Sequence, residues 1–281
     1  MQKIALITDS ACDLTINEIN ENNINLLPLL VIYSTKEYQD RVDISPSEVY
    51  ANLDKEVPKT SLPSAKTIED TLTRLEDEGY THVIAISISS GLSGSFNALR
   101  LALEDHPKLI SYVYDTKILA YPQGEIVLEV SRLIKEGKTY EEIIDLLPNI
   151  RERVIGFFTI NTLEYLKKGG RIGRVAGTIG EILNLKPIIT TDENGIYYNV
   201  AKVRGRKQSL SKLTEILKQY LHKGPCEVAV LHAGCEDEAL KFMSSLKSLQ
   251  NVNSIKLAEI SPALGVHGGP GLIGLSIKMA K

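Results

Sequence analysis

A chain of 281 residues, 43% hydrophobic and 24% charged, has the make-up of an ordinary soluble protein with one large core or two modest ones. The formal net charge of −3 gives no overall drive toward nucleic acid, so nucleic-acid binding is not expected and any anion recognition must be local. Three cysteines, Cys12, Cys226 and Cys235, show neither a zinc-site spacing nor a paired framework; they read as reduced thiols, and no metal follows from them.

The chain enters the apolar run 3–8 at once, too short and too quickly polar for a signal peptide. No later run approaches membrane-spanning length, so a cytoplasmic protein is expected. Thr8-Asp9-Ser10-Ala11-Cys12-Asp13 follows this first strand, where Asp13 or Thr15 suits a helix cap as well as a site. Further strand-like runs at 25–33, 82–88 and 111–114 alternate with helical patterns near 45–52, 64–77 and 124–135, which predicts a parallel sheet covered by helices.

Three loops in this half carry small polar residues. Thr60-Ser61-Leu62-Pro63-Ser64 precedes a helical pattern, so its hydroxyls either face a ligand or build a cap and turn. Ser89-Ser90-Gly91-Leu92-Ser93-Gly94-Ser95 stands between the buried-strand run 83–88 and a helix over 96–103; free N–H groups at such a turn favour an anionic group. Gly91 to Ser95 approaches the Gly-x-Ser-x-Gly nucleophile elbow, but Ser95 stands where the last glycine belongs. Gly137-Lys138-Thr139 copies the end of a P-loop, yet Arg132 occupies the first glycine position and a helix precedes it, so a helix-ending glycine is the better reading.

After Arg151 the order changes. A strand is expected over 153–160, two helices flank 167–174, and 187–191 leads into Asp192-Glu193-Asn194-Gly195, a hairpin signal. Runs at 196–203, 227–232, 255–260 and 272–278 then predict an antiparallel or mixed second sheet. The fold class is therefore α/β with two domains, a parallel-sheet domain over 1–155 and a mixed or antiparallel one over 156–281. Gly265-Val266-His267-Gly268-Gly269-Pro270-Gly271 reads as a loop that holds a histidine. Two basic strings, Lys167, Lys168, Arg171 and Arg174, then Arg204, Arg206 and Lys207, suit either a solvated face or docking to phosphates, a kinase or anionic lipid. Gly169-Gly170 offers a turn that would project Arg171 toward a partner.

Taken together, Thr8-Asp9-Ser10, Thr60 to Ser64, Ser89 to Ser95, Leu163 to Gly173, Lys202 to Lys207 and His267-Gly268-Gly269-Pro270-Gly271 resemble the DegV family, in order and across essentially the whole chain. The resemblance implies a two-domain α/β protein holding a long-chain fatty acid between its domains, as the acyl-binding subunit of a bacterial fatty acid kinase. It implies a carboxylate-binding set of Thr60 or Ser61, Ser93 with the neighbouring N–H at Gly94, and His267, with Asn161 nearby. Within the two basic strings Arg171, Arg174 and Arg204 are the candidate partner or phosphate contacts, and no catalytic residue, metal or cofactor beyond the lipid is expected. Three departures from the family pattern stand out: Leu62 at an often polar position, Gly268 where threonine is more usual, and the bulkier Asp115 to Gly124 in place of serine-rich sequence.

Neutral hydroxyls, backbone N–H groups and one imidazole satisfy a carboxylate while gripping it less tightly than a bidentate arginine, which suits a group that must attack phosphate. The aliphatic runs 26–32 and 179–185 are candidates for an acyl tunnel as well as for ordinary core. An alternative of another class is a lipid-ester hydrolase with Ser93 as nucleophile, His267 as base and Asp115 orienting it. A self-sufficient small-molecule kinase would need a nucleotide motif, and none is identified.

Overall fold

β1 (Ile4–Asp9) and β2 (Ile24–Leu27) pair in parallel. Pro28 follows, and the run 25–33, expected as one strand, becomes two, since proline donates no ladder hydrogen bond and restricts the residue before it. The second piece, β3 (Leu30–Ile32), joins β4 (Glu37–Gln39) and β5 (Lys59–Ser61) in a small antiparallel sheet of order β4-β3-β5. β6 (His82–Ser87) and β7 (Ile110–Asp115) then complete a four-stranded parallel sheet of order β2-β1-β6-β7. This is the computed structural model of the chain, which describes residues 2–178 and 185–280.

Local chemistry starts the helices of this half. α1 (Ile16–Glu21), α2 (Pro46–Asn52) and α6 (Tyr140–Glu152) each open on a capping box, Thr15 with Glu18, Ser45 with Glu48 and Thr139 with Glu142. Ser64 caps α3 (Ala65–Asp77) by accepting the Thr67 N–H. α4 (Ser95–Glu104) follows the Ser89 to Ser95 loop, and α5 (Tyr121–Lys135) starts three residues before its predicted place because Pro122 fits the first turn. Gly137, at φ +80°, ends the segment after α5, so the P-loop look-alike is a helix stop followed by the Thr139 cap.

The second half builds a six-stranded mixed sheet. β8 (Val154–Thr159), β9 (Leu185–Thr191), β10 (Tyr197–Arg204), β11 (Cys226–His232), β12 (Val252–Glu259) and β13 (Ile273–Met279) take the order β10-β9-β8-β13-β11-β12. Within this sheet, among the described residues, only β11 and β12 pair in parallel. The predicted hairpin joins β9 to β10, with Gly195 at φ +74°. α7 (Glu164–Lys168), α8 (Arg206–Leu221), α9 (Glu236–Leu246) and α10 (Pro262–Gly268) complete the α-helices among the described residues.

The period-2 alternation of the strands builds three cores. From β1, Ala5 and Ile7 face Leu72 of α3 and Leu99 of α4, while Leu6 faces the opposite way. From β11, Val228 and Val230 meet Leu213 and Leu217 of α8 and Phe242 of α9, while Ala229 and Leu231 face the same central core as Leu6. Each sheet is thus covered outside by its own helices, and both contribute to one central core that also takes in Ile126 and Val130 of α5. At roughly 1.5–3 kcal/mol for each fully buried large aliphatic side chain, this shared core is what joins the halves.

Candidate functional site

The Ser89 to Ser95 loop divides its work. Ser89 is fully buried; its hydroxyl donates to the Gly195 carbonyl at 2.9 Å and accepts the Gly91 N–H at 3.1 Å. A Cβ on Gly195 would stand 1.8 Å from that hydroxyl oxygen, and one on Gly91 would meet the Asn194 carbonyl oxygen at 2.7 Å. The first half of the loop therefore clasps the β9–β10 hairpin, and its glycines are required by close approach. The second half, Leu92 and Ser93, lines a cavity.

That cavity encloses about 970 Å³ of unfilled space, counted with its opening to solvent. Its walls come from both halves of the chain: Leu29, Ile88, Leu92, Ile118 and Leu119 from the first, and Phe157, Phe158, Leu166, Leu231, Ile260, Leu264 and Leu272 from the second. Of the aliphatic runs considered for a tunnel, 26–32 contributes Leu29, and 179–184 lies outside the described residues. Pro122 and Ala120, from the bulkier segment 115–124, also form wall.

Against this apolar lining stand Thr190 and Thr191 of β9, the former donating to the Gly156 carbonyl, and one larger polar cluster. Thr60 and Ser61 reach it from β5, Ser93 from the loop, Arg171 from the turn after α7, and His267 from α10. His267 Nε2 lies 2.7 Å from Thr60 Oγ1. The histidine was expected on a loop; it sits instead in the last turn of α10, because Pro262 starts a helix that runs through Gly268. Burial, then the nearby Arg171 guanidinium, push its imidazole down to about 4, so it is neutral at pH 7. His267 Nδ1 is buried without a hydrogen-bond partner among the described residues and abuts Gly169, where a Cβ would fall 2.0 Å away. Gly169, read from sequence as part of a turn, is the residue that lets the imidazole sit there.

Arg171 was expected to project outward. Its Nη1 donates to the Gly169 carbonyl at 2.7 Å and its Nε to the Leu92 carbonyl at 3.3 Å, which folds the half-buried guanidinium back into the cavity wall beside His267. The other expected contacts lie elsewhere. Arg174 is exposed and paired with Asp192 at 2.6 Å, and Arg204 is exposed at the end of β10. Gly94 is the exposed cap of α4 and Asn161 is exposed, its amide 3.4 Å from the Pro270 carbonyl; neither lines the cavity.

The hydrolase arrangement is not assembled among the described residues. Ser93 Oγ bonds Ser95 Oγ at 2.8 Å, His267 bonds Thr60, and Asp115 is committed to Lys117 at 2.7 Å and to the Ser90 N–H. No group of His, Cys, Asp or Glu among the described residues could hold a metal ion, and no helix among them is long and apolar enough to cross a membrane.

Sequence reading also missed the buried carboxylates behind this site. Asp9 accepts the Ile88 and Ala11 N–H groups, the Ser87 hydroxyl and the Gln123 amide, which ties β1 to β6 and α5. The Thr8-Asp9-Ser10 string carried a signal, but nothing local says what it binds.

Two α/β sheets sharing one core, with a mostly apolar cavity and a polar cluster lined from both, define a two-domain α/β class. The DegV family model, described as "Uncharacterised protein, DegV family", matches residues 3–279, and the chain belongs to this family. A DegV domain-containing protein of Clostridium perfringens is 53% identical over 278 residues, 99% of each chain. Among solved structures, a fatty acid binding DegV family protein from Streptococcus agalactiae is 31% identical with a TM-score of 0.92, covering 100% of both chains. A stearic acid-binding protein from Eubacterium ventriosum is 30% identical with a TM-score of 0.87, covering 99% of this chain and 98% of its own.

Proposed function

We propose that this chain binds a long-chain fatty acid, its hydrocarbon in the central cavity and its carboxylate at Thr60, Ser61, Ser93 and His267. The observation that carries the reading is the Thr60–His267 pair, 2.7 Å apart, in the polar cluster that also holds Ser61, Ser93 and Arg171 within a mostly apolar cavity. Solved relatives described as fatty acid binding support it. At about 0.8 kcal/mol per buried methylene, a long acyl chain contributes on the order of ten kcal/mol before association costs, so the chain supplies affinity. The polar cluster supplies direction, because a buried carboxylate without donors is expensive.

A neutral His267 with its proton on Nε2 donates to Thr60 Oγ1 and leaves the Thr60 hydroxyl proton free for the carboxylate. Thr60 is then the primary donor of the Thr60-Ser61 pair. Arg171 stands beside them as a cation for the phosphate once the carboxylate is phosphorylated. The chemistry itself belongs to a partner, the ATP-binding catalytic subunit of a fatty acid kinase, and this chain acts in the cytoplasm as carrier without catalysis of its own. Arg174 and Arg204, exposed near the β9–β10 hairpin, serve that partner or a transient anionic membrane contact. The domain division lies near residue 155, where β8 (Val154–Thr159) opens the second sheet.

Mass spectrometry of lipid extracted from the purified protein tests the reading: one equivalent of long-chain fatty acid is expected. Failure both to retain endogenous fatty acid and to bind added oleate would refute it.

A further inference from the structure

The cavity wall formed by α10 is held from its other end. α10 opens on Ser261, whose side chain makes no capping bond, and on Pro262, which has no N–H. Its first amides are satisfied from more than 200 residues away: Ser261 N–H donates to Asp13 Oδ1 at 2.9 Å and Ala263 N–H to Asp40 Oδ1 at 2.9 Å. Both aspartates are buried. Asp40 is itself fixed by the Ser10 hydroxyl, which in turn accepts the Leu29 N–H. Asp13 and Arg41 both adopt left-handed backbone conformations, at φ +53° and +61°, and Arg41 reaches Asp13 at 3.5 Å and the Glu259 carbonyl. Non-glycine residues held at positive φ cost free energy, so the surrounding contacts must over-determine them.

We propose that Asp13 and Asp40 are positioning residues that clamp the start of α10 and thereby hold His267, at its far end, against Thr60. The inference rests on the fatty-acid-binding reading above for its consequence, lipid retention, and on the geometry alone for the clamp. α10 spans roughly 10 Å, so a tilt at its first turn is transmitted as a displacement at its last. Along the way Ala263, Leu264 and Gly268 are wall of the cavity, so release of the clamp also loosens the wall.

The charges around the clamp set its response to pH. Asp13 faces Cys12 from its own segment, Asp40 and Arg41 after β4, Tyr50 on α2, Tyr197 on β10 and, through Arg41 and Tyr50, Glu259 at the end of β12, while Asp9 faces Cys12 and Asp40. Burial, against the pull of Arg41 and the Ser261 N–H, pushes Asp13 up to about 7; burial, against Ser10 and the Ala263 N–H, pushes Asp40 up to about 6. The clamped state therefore holds protons that an opened, hydrated state would release. Rising pH through about 6 to 7 adds buried negative charge and favours opening.

The test uses the full chain, with cis-parinaric acid as fluorescent probe and imidazole nitrogen NMR of His267. Asp40→Ala and Asp13→Ala remove the acceptor, whereas Asp40→Asn and Asp13→Asn keep an oxygen for the α10 amide. The alanine variants are expected to release the probe to vesicles about tenfold faster or more, and to shift the His267 imidazole pKa from about 4 upward toward its ordinary value. The asparagine variants are expected to keep both within about twofold of the parent at pH 6. In the parent, release accelerates between pH 6 and 8, and Asp13→Asn flattens that rise. Folded alanine variants with unchanged His267 signals and release rates would overturn the clamp. Should the alanine variants not fold, a pH profile retained when Asp13→Asn and Asp40→Asn are combined overturns it. If the parent does not take up the probe, the fatty-acid reading fails by itself, and the His267 signals still decide whether the clamp exists.

Discussion

The two ends of α10 solve opposite electrostatic problems. At the last turn His267 is kept neutral by burial and by Arg171, and its partner is a neutral hydroxyl. At the first turn two buried carboxylates accept amides whose orientation and helix dipole favour negative charge. On the proposed reading one end is left to take up a ligand's anion, and the other is already occupied by carboxyl groups of the protein. A seven-residue helix can thus present a side chain at its last turn while anchored at its first, with Tyr50 packed against Gly265 in between.

The strongest way to break this contrast is at the binding end. Gly169→Ala places a methyl 2.0 Å from His267 Nδ1, so the ring must move off Thr60. If the chain presents its lipid to a kinase as proposed, partner-dependent acyl phosphate formation falls about 100-fold, because displacements near 1 Å suffice for such losses. Coupled kinase assays would read it, and near-parent activity would show that the imidazole need not sit where it does. His267→Ala and Ser93→Ala are expected to reduce the same activity by about tenfold or more while changing lipid retention by less than about threefold, since methylenes rather than donors supply affinity. Equal loss in both measurements would assign the donors to affinity instead.

Away from α10, Gly195→Ala tests whether the loop clasp holds the halves together. Both the positive φ and the approach to Ser89 oppose a side chain, and a loss of about 1–3 kcal/mol in urea unfolding is expected. The smallest effect is the pH dependence of stability, where the two ends should have opposite signs. His267 is depressed to about 4, so its contribution is present above about 6.5 and is lost as pH falls through 4. Asp13 and Asp40 are raised to about 7 and about 6, so theirs is present below about 4 and is lost as pH rises through those values. Urea midpoints from pH 4 to 8 should lose their acid-side slope in His267→Gln and their neutral-side slope in Asp13→Asn.

Much of the fold was legible because its signals are local. Runs such as Val83 to Ile88, the Ser64 cap, the Asn194-Gly195 turn and the late strands fell close to their predicted places. The small sheet was not legible: three-residue strands such as Leu30–Ile32 show no period, and Pro28 only marks where a longer run must break. Thr60, Ser61, Ser93 and His267 could be nominated as hydroxyls and an imidazole in glycine-rich strings, and the fold gathers all four on one cavity. Asn161 and Gly94, nominated on the same grounds, lie outside it.

By itself, then, the sequence determined the α/β class, the change from parallel to mixed sheet, and the residue types available for an anionic head group, since propensity, capping and alternation act over a few residues. Tertiary structure decided the rest: that Arg171 turns inward, that Ser89 clasps a hairpin instead of an anion, and that Asp13 and Asp40 hold a helix more than 200 residues away. Those outcomes depend on buried charge and close backbone approach between distant segments, and no local pattern encodes which partner a buried carboxylate will meet.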